Sequence, residues 1–74
     1  MTLQEATALY GTRTYLSSKG DNINTIRRQI YNSDNSIYDL ILLRLNSIIS
    51  WDYLEPGTQI NYLPESVCSQ VYEV

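Results

Sequence analysis

The stretch Ser18-Lys19-Gly20-Asp21-Asn22-Ile23 constrains this chain more than any other. It predicts the end of a strand, a tight turn and the start of a helix in quick succession. Glycine takes a positive φ without steric cost, so Gly20 suits the turn. Asp21 carries a side chain able to accept from the first free N–H groups of a helix. Ile23, Ile26 and Ile30 follow at helical spacing. They give a helix from about Asn22 to Tyr31 one apolar face that must be buried.

What can bury it is limited by length. The chain has 74 residues, enough for one small domain. A domain of that size buries only about 60% of its unfolded surface. Cys68 is the single cysteine and there is no histidine, so an intrachain disulfide is impossible and the usual zinc ligand set is missing. Partner proteins are the support that remains. The net charge is −3, and Arg13, Lys19, Arg27, Arg28 and Arg44 are scattered. That argues against a nucleic-acid partner and against a polybasic membrane contact. Leu40 to Leu43 is far too short an apolar run to span a bilayer. Met1 to Tyr10 lacks the basic start and long apolar run of a secretory signal. The expectation is a protein of the cytoplasm, or of something assembled there.

Taken in order, residues 1–12 have two readings. Thr2 and Glu5 stand at capping-box spacing. Leu3, Ala6 and Tyr10 would share a helix face, and Gly11 would end it. The other reading is an arm that orders on a partner. Residues 13–17, Arg-Thr-Tyr-Leu-Ser, favour a strand. Asn32 to Ser36 is a connection, with Asp34, Asn35 or Ser36 capping a second helix over Ile37–Leu45. Ile37, Leu40 and Ile41 form its expected core stripe, with Leu45 a turn beyond; Tyr38, Leu42 and Leu43 point elsewhere. A helix this apolar around its circumference needs cover from the tails or from another protein. Asn46 ends it by tolerating the left-handed conformation. Ser47 to Leu54 is a loop with large apolar residues, and Glu55-Pro56-Gly57-Thr58 is a turn. Residues 58–63 read as a strand with Ile60 and Tyr62 on one face, closed by Pro64. Val67, Val71, Tyr72 and Val74 in the last ten residues predict either an added edge strand or a segment lying on a neighbour. The whole is an α+β fold of order β-α-α-β. Its two strands pair antiparallel because two lone strands cannot stand alone, and both helices pack on one face. The domain covers 13–64, flanked by a short arm or helix at 1–12 and a tail at 65–74.

No catalytic constellation is evident. Without histidine, acid–base work would fall to carboxylates. Asp21, Asp34 and Asp39 read as helix caps or solvated side chains, and Asp52, Glu55 and Glu65 sit in turns. Cys68 has no visible base and reads as an inert thiol. No cofactor motif is present. Trp51 and Tyr53 have two readings, as a functional pair that stacks on a sugar or anchors a protein interface, or as a lid on the core beneath the second helix.

Lys19-Gly20-Asp21-Asn22-Ile23, Ile37-Tyr38-Asp39-Leu40-Ile41, Asn46, Leu54-x-Pro56-Gly57 and Leu63-Pro64 come in the order and spacing that resemble a LysM domain. The resemblance covers Thr14 to Pro64. Lys19 and Asn22 depart from the small residue and Thr of the family's first turn, and Trp51 and Tyr53 enlarge the loop after Asn46. The resemblance implies a groove for N-acetylglucosamine polymers such as peptidoglycan or chitin. Its sides would be Ser18, Gly20, Asp21, Asn22 and Ile23, facing Asn46, Ser47 and Ile48. A subset of short, standalone members resembles tail proteins of contractile bacteriophages, of the tail protein X type or the LysM segment of baseplate wedge proteins. That subset implies a structural adaptor of the tail baseplate in the virion, assembled in the host cytoplasm and joining wedge subunits to the hub or tube. The expected contact residues are Tyr38, Leu42, Leu43, Trp51, Tyr53, Val67, Val71 and Tyr72. The alternatives it leaves are a glycan-binding module of the cell wall and an adaptor of a bacterial contractile injection or spore-type assembly.

Overall fold

A computed structural model describes residues 1–48, 50–52 and 54–74. Six elements follow one another: α1 (Leu3–Tyr10), β1 (Arg13–Leu16), α2 (Ile23–Tyr31), α3 (Ile37–Leu45), β2 (Gln59–Tyr62) and α4 (Glu65–Cys68). The fold is α+β, with two antiparallel strands and four helices among the described residues.

The start of the chain is a helix. The Thr2 hydroxyl accepts from the Glu5 N–H at 3.1 Å, and the Glu5 carboxylate accepts from the Thr2 N–H at 3.0 Å. This reciprocal pairing satisfies donors that a helix start leaves free. Leu3 and Ala6 are buried, whereas Tyr10, expected on the same face, is half exposed and donates its hydroxyl to Gln70.

The strands pair with Arg13 opposite Tyr62 and Tyr15 opposite Ile60. They are shorter than the sequence suggests, because Ser17 and Thr58 leave the regular ladder to build the turn. The Ser17 N–H donates to the Thr58 carbonyl at 3.0 Å. The Ser17 hydroxyl donates to the Glu55 carbonyl at 2.7 Å and accepts from the Thr58 N–H at 3.0 Å. The buried serine thus ties the end of β1 to the Pro56-Gly57 turn.

In α3 the buried stripe differs from the expected one. Ile41 and Leu42 are buried, with Tyr38 and Leu45 packed against the same core. Ile37 and Leu40, expected inside, are exposed. The stripe 38-41-42-45 is apolar throughout, whereas the stripe 37-40-41-44 ends on Arg44. Two contacts with α2 fix this rotation. The rings of Tyr31 and Tyr38 stack with centroids 4.1 Å apart. Arg27, 5% exposed, places one guanidinium nitrogen 2.8 Å from each carboxylate oxygen of Asp39. The same nitrogen reaches the Asn24 side-chain oxygen at 3.0 Å, and Nε donates to the Ser33 carbonyl at 2.9 Å. Asp39 is therefore an ion-pair partner, neither a cap nor a solvated side chain. The cap of α3 falls to the Asn35 side chain, which accepts from the Ile37 N–H at 3.0 Å.

The last ten residues form a helix followed by a return to the start of the chain. The Pro64 carbonyl accepts from Val67 and Cys68, opening α4. Beyond it, the Tyr72 N–H donates to the Met1 carbonyl at 3.0 Å and the Leu3 N–H to the Glu73 carbonyl at 2.8 Å. The expected edge strand therefore exists only as a single parallel bridge between Thr2 and Glu73. Leu3, Ala6, Val67 and Cys68 belong to the same core as Ile26, Ile41, Leu42, Ile60 and Leu63. The flanks at 1–12 and 65–74 are thus built into the domain they border.

Candidate functional site

The turn between β1 and α2 forms as the sequence predicts, with one exchange of roles. Gly20 has φ +86, a value glycine adopts freely. The cap of α2 is Asn22, not Asp21. The Asn22 side chain accepts from Asn24 and Thr25 N–H groups at 2.9 and 3.1 Å, and the Thr25 hydroxyl accepts from the Asn22 N–H. Asp21 binds the turn together instead. One carboxylate oxygen accepts from the Ser18 N–H at 2.8 Å and from the Tyr15 hydroxyl at 3.0 Å. The other accepts from the Thr25 hydroxyl at 2.9 Å. The Ser18 N–H, with the two hydroxyls, holds the Asp21 carboxyl below its ordinary range. A depressed folded pKa stabilises the fold above the unfolded value, and this stabilisation is lost as pH falls through the folded one. An Asp21→Asn variant is therefore expected to be less stable than the parent near neutral pH. The gap should close as urea midpoints are measured at successively lower pH through the acidic carboxylate range.

On the opposite side, Asn46 ends α3 without entering the left-handed region; its φ is −133. The side chain does the work. Its amide nitrogen donates to the Leu42 carbonyl at 2.8 Å and the Asn61 carbonyl at 2.9 Å, and its oxygen accepts from the Asn61 N–H at 2.8 Å. Asn46 thus behaves as one more residue of sheet added to β2. Asn46→Ala leaves those groups to water and is expected to cost about 1–2 kcal/mol, read as a shift of the urea midpoint with unchanged slope.

These bonds define what the expected glycan groove retains. The carboxylate of Asp21, the side-chain oxygen of Asn22 and both polar side-chain atoms of Asn46 are engaged within the chain. Ser18, Gly20 and Ser47 are exposed, and Ile23 and Ile48 are half-buried against the core. Two concavities among the described residues lie elsewhere. One, of about 330 Å³, is lined by Thr2, Leu3, Gln4, Arg44, Glu73 and Val74. The other, of about 160 Å³, is lined by Arg28, Asn32, Ser33 and Asp34.

The expected contact residues divide in three. Leu42, Trp51 and Val67 are buried and form core rather than surface. Tyr38 and Val71 are half-buried against that core. Leu43 and Tyr72 are exposed, and Tyr53 lies outside the described residues. Exposed Ile37, Leu40 and Leu43 make an apolar ridge along α3. Ile37 and Leu40 enter this surface because the helix is rotated from the expected orientation.

Two features went unread in the sequence. One is the buried Arg27 with Asp39. The other is a cluster in which the Tyr31 hydroxyl donates to the Leu63 carbonyl at 2.7 Å. Tyr62 meets the Tyr31 ring edge-on, and the Cys68 thiol lies 3.6 Å from the same hydroxyl. Burial pushes both the Tyr31 phenol and the Cys68 thiol up, so both remain protonated near neutral pH. An Arg at helical spacing from core isoleucines was the available signal for the first; nothing local marks the second. Among the described residues no group of three His, Cys, Asp or Glu side chains is placed to hold a metal. No protein-family model matches the chain, and no curated protein or solved structure does either.

Proposed function

We propose that the chain is a LysM-like structural adaptor of a contractile phage tail baseplate, joining wedge components to the hub or tube through protein–protein contacts. The phage assignment rests on the sequence resemblance. The observation that carries the adaptor reading is the exposed ridge of Ile37, Leu40 and Leu43 on a helix whose other side is already buried. Single apolar side chains on a surface are ordinary, whereas three at positions 37, 40 and 43 of one helix supply an apolar row for a partner to cover. The run β1-α2-α3-β2 with antiparallel strands, and the positive φ of Gly20 between β1 and α2, agree with a LysM-like core. The glycan reading is weaker because the Asp21 carboxylate, the Asn46 amide and the Asn22 side-chain oxygen are engaged within the chain.

The test is incorporation. A tagged chain expressed where the particle assembles should co-sediment with tails through a sucrose gradient. The double variant Leu40→Lys/Leu43→Lys should remain at the top of the gradient while keeping the parent circular dichroism spectrum. A parent chain that stays free of particles, yet shifts at residues 18–23 and 46–48 when titrated with N-acetylglucosamine oligomer, would replace this reading with the glycan one.

A further inference from the structure

The two open edges of the sheet are not equivalent. In an antiparallel ladder, residues directly opposite alternate between bonded and unbonded pairs, and the main-chain groups of unbonded pairs point away from the partner strand. The Ser17 N–H bonds the Thr58 carbonyl. With the observed register, Tyr15–Ile60 and Arg13–Tyr62 are then the bonded pairs, and Thr14–Asn61 and Leu16–Gln59 the unbonded ones. On the β2 edge the outward N–H and carbonyl of Asn61 are both taken by the Asn46 side chain. On the β1 edge the outward groups of Thr14 and Leu16 meet no partner among the described residues.

Beyond Arg13 at its first position, β1 carries no charge along that edge. Proteins usually blunt an open strand with proline, a bulge or a charge within it. Between Arg13 and Lys19 there is neither proline nor charge, and the register has no bulge. Thr14 and Leu16 point to the same side of the sheet, where both are exposed. Tyr15 takes the other side and donates to Asp21. Arg13 and Lys19 flank the segment, both exposed and neither in an ion pair among the described residues.

We propose that the outer edge of β1 accepts an extended, antiparallel strand from a partner protein, with β-branched residues opposite Thr14 and Leu16 and acidic residues near Arg13 and Lys19. The mode is strand addition, in which main-chain bonds supply affinity and the flanking side chains supply selectivity. A second copy of this chain fits less well. Antiparallel pairing of β1 with itself would bring Arg13 and Lys19 of both copies onto one shared edge, placing like charges together. The inference deepens the adaptor reading and rests on it, naming the kind of segment such an adaptor would take up.

The probe is the capped heptapeptide ETVTVTE, titrated into the isotope-labelled full chain at low salt. The expected result is slowed amide exchange, by tenfold or more, at Thr14 and Leu16, with no change along residues 37–43. Leu16→Pro removes one outward donor without breaking a bond to β2, since proline is tolerated where an edge N–H faces solvent. It should weaken binding at least tenfold at an unchanged melting temperature. Should that variant unfold, Leu16→Lys places a charge on the same edge and should weaken binding likewise. Unaltered exchange at Thr14 and Leu16 at millimolar peptide would overturn the proposal, as would equal binding by a folded edge variant. Because the peptide reads β1 alone, such a failure leaves the α3 ridge and its gradient test untouched.

Discussion

Asp39→Ala is expected to destabilise the fold by about 3 kcal/mol or more. In a domain of this size that corresponds to a fall in melting temperature of at least about 12 °C. The reason is the state in which the change leaves Arg27. Its side chain is 6% exposed, and Asp39 supplies both of its closest anionic contacts at 2.8 Å. Asp34 is the nearest substitute, but it stands 3.7 Å away, is largely in water and already pairs with Arg28 at 2.9 Å. The guanidinium would keep its charge, because arginine does not deprotonate in proteins, and would lose its counter-ion inside the fold. Breaking a buried pair is far costlier than replacing it whole. The double variant Arg27→Met/Asp39→Leu should therefore recover most of the loss, short of the bonds to Ser33 and Asn24. Urea denaturation of the parent and both variants reads the comparison. A loss below about 1 kcal/mol for Asp39→Ala would mean that Arg27 escapes to water, and that the pair does not set the rotation of α3.

That pair also marks where sequence reasoning stops. The local signals were legible. Thr2 with Glu5, Gly20 before α2 and Pro56-Gly57 before β2 each act within a few residues, so the chain states them directly. Asn46 was legible as a stop but not as a side chain that completes the β2 edge, because Asn61 lies 15 residues on. The rotation of α3 was hardest. An all-round apolar helix offers no hydrophobic direction of its own, and β-branched Ile37 looks as fit for a core as Tyr38. The deciding groups sit on another helix: the Tyr31 ring that Tyr38 stacks on and the Arg27 that Asp39 neutralises. Arg44 was the one local hint, since it breaks the stripe begun by Ile37. The tail is undecided in the sequence for a similar reason. Val67 and Val71 favour strands by propensity, but the Pro64 carbonyl and the core contacts of Val67 and Cys68 hold a turn of helix there. Tertiary burial outweighs a preference that spans only about 1 kcal/mol.

The same rotation gives the sharpest contrast between neighbouring residues. Leu42→Ala removes a side chain with no exposed surface and is expected to cost about 3 kcal/mol through lost burial and the cavity left behind. Leu43→Ala removes one that is 46% exposed, and should change stability by no more than about 0.5 kcal/mol. Both keep the helix propensity of α3 nearly constant, since leucine and alanine are both strong helix formers. The difference in urea midpoint therefore reports packing. Under the adaptor proposal the functional effects run the other way. Leu43→Ala, still fully folded, should weaken incorporation into particles. A moderately destabilised Leu42→Ala chain that remains folded at low temperature should incorporate normally, because its side chain never reaches the surface. Comparable losses of stability for the two variants would place Leu43 inside the fold and remove the ridge on which the adaptor reading stands.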